Sequence, residues 1–186
     1  MFMDSDNQLI QKIKAGESRA FQTLVYRYQD HMFSVCLTIL KNKPEAQEAA
    51  QDTFIKVFKS INSYKEDSKL SSWLYKIAYR TSLDYIRKRK HTQDVDDVAF
   101  SLTSDDSDAQ QDMETHESSS ALLRLVNELP ADEAGLIRMF YLEELSIREL
   151  EQISGLTQSN IKVKLFRARN KLKELAKNNM RFSEVR

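Results

Sequence analysis

Seven basic side chains crowd one stretch near the end of the chain: Lys162, Lys164, Arg167, Arg169, Lys171, Lys173 and Lys177, with Glu174 the one acid among them. Ile161, Leu165, Ala168, Leu172 and Leu175 recur between them at four- and three-residue steps, which puts the apolar residues on one face of an α-helix. A helix with a buried seam and a cationic outer surface suits a phosphate-lined groove. Just upstream, Ser154-Gly155-Leu156 separates this stretch from a short amphipathic one, Ser146 to Ile153, and Thr157 is placed to cap the long helix. Two helices joined by a three-residue turn containing Gly form the helix-turn-helix pattern. Gln158, Ser159 and Asn160 then occupy the first turn, from which such helices touch base edges. A salt-bridged, solvated helix would explain the charges but not the turn, the cap and the polar start.

A second stretch mixes rings with positive charge: Trp73, Tyr75, Lys76, Tyr79, Arg80, Tyr85, Arg87, Lys88, Arg89 and Lys90. Single-stranded DNA calls for this mixture, because bases stack on aromatic faces while phosphates meet Lys or Arg. Leu74, Ile77, Ala78 and Ile86 mark a buried stripe on the same helix, and Trp73 or Tyr85 could belong to it. The run Arg87 to Lys90 also suits the negative end of a helix dipole, so alone it says little. Metal chemistry is not expected, because His31, His91 and His116 are dispersed and lack Cys or carboxylate partners at ligand spacing. With no phosphate-cradling Gly loop and no nucleophile elbow, neither a cofactor nor a catalytic centre is expected.

The elements that must hold these residues are helices. Three glycines and two prolines in 186 residues leave little material for the turns of a β fold. Leu9, Ile10 and Ile13 begin a helix that Gly16 ends. Ser18 is expected to cap a longer one carrying Phe21, Leu24, Val25, Tyr28, Met32, Val35, Cys36 and Ile39. Pro44 suits the first turn of a third, whose stripe is Ala46, Ala49, Ala50, Phe54, Val57, Phe58 and Ile61 and whose other face shows Glu45, Glu48, Gln51 and Asp52. A polar loop from Asn62 to Leu70 follows, and Ser71 or Ser72 opens a fourth helix from Trp73 to about Lys90. Downstream, Ala121 to Leu129 and Asp132 to Leu142 precede the helix-turn-helix, whose last helix should run to about Lys177.

Charge divides the chain. Its 28 basic and 28 acidic residues cancel, yet residues 1–93 carry 16 basic against 10 acidic, 94–120 carry none against 9, and 121–186 carry 12 against 9. The middle segment is rich in Asp and Ser, and cannot bury enough apolar surface to offset the entropy of ordering, so a mobile acidic linker is expected there. The fold class that follows is all-α: two small helical domains, residues 1–93 and 121–186, joined by a flexible acidic linker, the second a four-helix domain with the helix-turn-helix. Cys36 cannot form an internal disulfide and sits in an apolar run, and no stretch approaches the length of a spanning helix. A reducing, cytoplasmic setting without membrane insertion fits these features best.

Several ordered motifs resemble the extracytoplasmic-function sigma factors, the minimal branch of the sigma-70 superfamily. Pro44 to Phe54 (PEAQEAAQDTF) resembles that family's polymerase-clamp-binding helix. Ser72 to Arg80 (SWLYKIAYR), followed by Leu83 to Arg89 (LDYIRKR), resembles its −10 recognition and melting helix. Leu129-Pro130, Leu145 to Leu150 (LSIREL) and Ile161 to Arg169 (IKVKLFRAR) resemble its −35-binding domain. The resemblance implies that the chain binds core RNA polymerase, through the β′ clamp helices and the β flap, and directs promoter-specific initiation. By position it assigns Glu45, Glu48, Gln51 and Asp52 to the clamp. Ser63, Tyr64, Lys65, Lys69, Trp73, Lys76, Arg80, Asp84, Arg87 and Lys88 fall to −10 DNA, and Gln158, Ser159, Asn160, Lys162, Lys164 and Arg167 to −35 DNA. It also implies an anti-sigma factor as a masking partner, and a linker whose acidity imitates RNA in the polymerase channels.

Three positions depart from the family pattern. Glu151 stands where a small Ala usually packs, Glu144 replaces a common turn Gly, and Gln158-Ser159-Asn160 replaces the frequent small-Gly-Thr start. They imply a divergent −35 preference. The rival readings are a stand-alone helix-turn-helix regulator of duplex DNA and an all-helical adaptor. The first gives no reason for the aromatic and basic helix, and the second explains neither basic helix.

Overall fold

The computed structural model describes residues 5–65, 67–95 and 124–183, and every regular element among them is helical. In order these are α1 (Asp6–Lys14), α2 (Ser18–Leu40), α3 (Lys43–Ser60), a single 3-10 turn (Ile61–Ser63) and α4 (Leu70–Val95). Then come α5, helical over 124–127, α6 (Ala131–Tyr141), α7 (Ile147–Ser154) and α8 (Gln158–Ser183). Residues 96–120 of the acidic connector lie outside the described residues, and so does the expectation made for them.

Local chemistry sets most boundaries. Ser5 and Gln8 form a reciprocal capping box on α1, and Ser146 and Glu149 form another on α7, each satisfying two backbone donors that a helix start leaves open. Asn42 caps α3 by accepting from the Glu45 N–H, with Pro44 in the first turn. Gly155 ends α7 in the left-handed region, at φ 75°, and Thr157 caps α8 through the Asn160 N–H at 3.3 Å. Four expectations need correction. Glu17, not Ser18, is the N-cap of α2 and makes no side-chain cap bond, so Ser18 is merely its first residue. The fourth helix starts at Leu70, whose side chain is buried, and runs to Val95, past Lys90 and into the segment assigned to the linker. The last helix continues beyond Lys177 to Ser183. Phe58 is 58% exposed and is not part of the α3 core stripe, although its ring meets Phe21 edge-on at 5.0 Å.

Helices α2, α3 and α4 pack on one another with α1 laid against α2, burying Leu24, Met32, Ile39 and Leu74 completely, while α6, α7 and α8 enclose Leu136, Met139, Leu150, Ile153 and Ile161. Each such side chain contributes about 1.5–3 kcal/mol through removal from water. The two sets of helices are also packed against each other, α6 on α2 and α7 on α4. At that junction Gly135 of α6 is required for close approach, since a Cβ there would stand 2.9 Å from Ile39 Cγ1 and 3.3 Å from Tyr79 Cε2. The Lys41 ammonium crosses it to the carbonyl of Leu129 at 2.6 Å.

Candidate polymerase and nucleic-acid interfaces

Helix α8 leaves its first turn open to solvent: Gln158, Ser159 and Asn160 are all exposed, and Gln158 donates to Glu151 Oε2 at 2.8 Å across the turn. That bond gives the departing Glu151 a role, tying the two helices of the motif by a polar contact where a small residue would pack. Lys162 and Arg167 project outward with them. Lys164 does not: it is half-buried and donates to Asp132 Oδ2 of α6 at 2.6 Å, on the flank of α8 that faces its own unit. Two apolar residues join the outward face instead. Val163 is 45% and Phe166 58% exposed, four and seven positions after Ser159, on the side opposite the buried Ile161, Leu165 and Ala168. Their helical phase was available from the sequence, but attention to charge passed over them.

On α3, Glu48 and Gln51 are exposed, whereas Glu45 and Asp52 are half-buried because both reach toward α4. Glu45 pairs with Arg89, and Asp52 accepts the Tyr85 hydroxyl at 2.9 Å. Burial, together with the hydrogen bond to Asp52 and its negative charge, pushes the Tyr85 phenol up to about 12. A groove of about 480 Å³ between α2 and α3, lined by Val25, Phe33, Gln47, Ala50 and Phe54, adjoins Gln51.

The loop before α4 is organised from beneath. Tyr64 is 4% exposed, its hydroxyl donating to the carbonyl of Ser68 at 2.6 Å and its ring 5.1 Å from that of the half-buried Trp73. It therefore supports the loop rather than presenting a face to solvent. Ser63, Lys65, Trp73 and Lys76 line a hollow of about 290 Å³ whose far wall is Gln152 and Ile153 of α7. Further along α4, Arg80, Arg87 and Lys88 are exposed. Asp84 accepts from Arg87 at 3.0 Å, and the Lys88 ammonium lies 5.8 Å from the centre of the Tyr85 ring. Tyr75 and Tyr79, grouped with the potential base-stacking rings from the sequence, are buried at 4% and 3%.

Two carboxylates of the C-terminal unit, Glu149 on α7 and Glu143 in the loop after α6, reach this same face. Glu149 Oε1 accepts from Ser72 Oγ at 2.9 Å and lies 3.4 Å from Lys69 Nζ, while Oε2 accepts from the Ser146 N–H at 2.8 Å and hydroxyl at 2.7 Å. Burial alone would raise its pKa, but these hydrogen bonds outweigh burial and hold it near 2. Glu143, whose side chain is 3% exposed, accepts the Tyr75 hydroxyl, lies 2.8 Å from His31 Nδ1 and pairs with Arg138 at 3.2 Å. Burial, then the bond to Glu143 and its charge, raises the Tyr75 phenol. These contacts had no sequence signal, because each member reads as an ordinary polar or core residue of its own helix or loop.

Among the described residues no group of His, Cys, Asp and Glu could hold a metal ion, and no described helix is long and apolar enough to cross a membrane. Comparison with known proteins matches residues 24–92 to Sigma-70 region 2 and residues 119–172 to Sigma-70, region 4. The ECF RNA polymerase sigma factor SigM of Bacillus subtilis (strain 168) is 32% identical over 149 residues, covering 80% of this chain and 90% of its own. SigW of the same strain is 29% identical over 174 residues, covering 89% and 93%. Among solved structures, the sigma factor RpoE from Bartonella quintana, in complex with the anti-sigma factor NepR, has a TM-score of 0.70 at 24% identity over 84% of this chain and 96% of that one. CnrH, in complex with the cytosolic domain of CnrY, has a TM-score of 0.68 at 19% identity over 94% and 99%. The two structures share the fold. The matches to both sigma regions and the 32% identity to SigM place this chain in the ECF branch of the sigma-70 family: it is an RNA polymerase sigma factor.

Proposed function

We propose that residues 1–93 bind core polymerase and open the −10 element, that residues 121–186 hold duplex −35 DNA, and that 94–120 join them as an acidic linker. The observation that carries this division is two different cationic surfaces on one chain. One is a hollow lined by Lys65, Lys76 and Trp73 with Asp67 the one acid among its lining residues, the other a helix-turn-helix with an exposed polar first turn. Glu48 and Gln51, with Glu45 and Asp52 beside them, face the β′ clamp helices, and their acidic and amide chemistry suits a basic partner. The C-terminal unit meets the β flap. An unstacked −10 base enters the hollow, where Trp73 and the Tyr64-supported loop replace its stacking, at a cost of a few kcal/mol for leaving the duplex. Ser63 offers a hydroxyl there, Arg80, Arg87 and Lys88 hold strand phosphates, and Asp84 aims Arg87.

On −35 DNA, Gln158, Ser159 and Asn160 read base edges and Val163 contacts a thymine methyl. Lys162 and Arg167 meet phosphates, while Lys164 steadies α8 through Asp132. The anti-sigma class of partner found with RpoE extends to this chain, which acts in the cytoplasm and has no catalytic centre, metal or cofactor of its own. The stand-alone regulator is not favoured, since it leaves the match to region 2 without a purpose. The test is Gln51→Lys with Asp52→Lys, assayed by co-purification with core polymerase and by run-off transcription. Both should fall at least about tenfold with the helical circular dichroism unchanged, and undiminished association would refute the clamp assignment.

A further inference from the structure

The hollow offered to the −10 strand is walled on one side by the C-terminal unit. Its far wall is α7, and from that helix Glu149 extends a carboxylate to Ser72, which lines the hollow, and to Lys69, next in sequence to the lining Ser68. A carboxylate and a phosphodiester each present one negative charge on two accepting oxygens, so the two compete for the same donors. Helix α7 itself does not need the charge. Its capping box requires only an acceptor at the third helical position, which Gln supplies as well as Glu. Among the described residues the cation paired with Glu149 belongs to the other unit: Lys69, whose side chain is 74% exposed. Behind this contact the closure is backed by Glu143 on Tyr75 and by Gly135 seated against Ile39 and Tyr79.

We infer that Glu149 is an internal latch: its carboxylate takes the Ser72 hydroxyl on the edge of the −10 hollow and the nearby Lys69 ammonium, holding α7 beside it, so that a DNA phosphate using these donors must displace it. This rests on the reading of the hollow as the −10 site. The free protein is then self-masked, and its affinity for single strands is reduced by the fraction of molecules that are closed. Polymerase, by separating the two units along promoter DNA, removes the mask.

Two variants test it in the full chain. Glu149→Gln keeps the capping box and removes the charge. Gly135→Leu strengthens α6 as a helix but drives a side chain into Ile39, wedging the units apart. Without polymerase, a fluorescein-labelled, randomised single-stranded 20-mer pool is titrated against each protein by anisotropy, with small-angle scattering on the same samples. Both variants should bind the pool about tenfold more tightly than the parent, and Gly135→Leu should show a larger radius of gyration. Run-off transcription with core polymerase should be unchanged in both.

An unaltered affinity in Glu149→Gln, or an already extended parent, overturns the latch. Should Gly135→Leu misfold, the Glu149→Gln affinity ratio still decides. Failure of all three proteins to support core-dependent transcription would instead refute the sigma reading, while the polymerase-free ratio would still judge the latch.

Discussion

Gly155→Ala isolates what the turn of the helix-turn-helix requires from its glycine. Gly155 has φ 75° and ψ 6°, its N–H closes α7 on the Glu151 carbonyl at 2.9 Å, and a Cβ built there meets no atom within 4 Å. No steric clash is therefore added, and the cost is the intrinsic one of placing an L-residue in the left-handed region, about 1–2 kcal/mol. Ala also restricts the unfolded chain relative to Gly, returning about 0.4–1 kcal/mol. The net expectation is a loss of roughly 1 kcal/mol, or a melting temperature lower by about 2–4 °C. Because Ala reaches this conformation without moving the backbone, the angle between α7 and α8 is kept, and duplex −35 binding below the melting range should stay within about twofold. Glu144→Gly is the reciprocal experiment. Glu144 is exposed with φ 53°, so Gly removes the backbone cost and loses no buried contact, and stability should hold or rise by up to about 1 kcal/mol. Urea denaturation of both variants measures the pair. A Gly155→Ala protein as stable as the parent, or one whose −35 binding collapses while it remains folded, would refute the account of the turn.

Acid should loosen the closed arrangement. The Glu149 carboxyl is held below its ordinary value, near 2 against 4.5, so its contribution is fully present above about 4.5 and is lost as pH falls toward 2. Scattering across that window should show expansion that Glu149→Gln does not share. In salt titrations of −35 duplex binding, Lys162→Ala and Arg167→Ala should each reduce the slope of log K against log salt by about 0.9, one phosphate contact apiece. Lys164→Ala should leave the slope nearly unchanged, because that ammonium is committed to Asp132, and should lower stability instead.

The helices were legible because their apolar spacing and caps agree, as at Ser146, Thr157 and Asn42. Legibility failed where tertiary context overrides a local signal. Ser18 is a good cap residue, yet Glu17 holds that position. Leu70 looked like the end of a polar loop, but its burial in the core starts α4 early. Residue type also could not separate a stacking ring from a core ring: Tyr64, Tyr75 and Tyr79 are buried, while Trp73 is half-exposed at the hollow. The face of α8 could be read from its period, though not the fact that Lys164 turns away to Asp132. Contacts between the units were invisible, since Ser72 and Glu149 satisfy the pattern of their own helices, Glu143 reads as an ordinary loop acid, and their partners lie 68 or more residues away.

The ties between α3 and α4 bear on how such proteins can be recombined. Glu45 with Arg89, and Asp52 with Tyr85, join a residue on each proposed polymerase-facing position to one on the neighbouring cationic helix. A chimera that imports α3 from a relative inherits carboxylates or amides without their native counterparts, and one that imports α4 leaves Glu45 and Asp52 beside foreign side chains. The smallest transplantable piece is thus the α3–α4 pair with its intervening loop. Substitutions along this seam should be accepted in matched pairs.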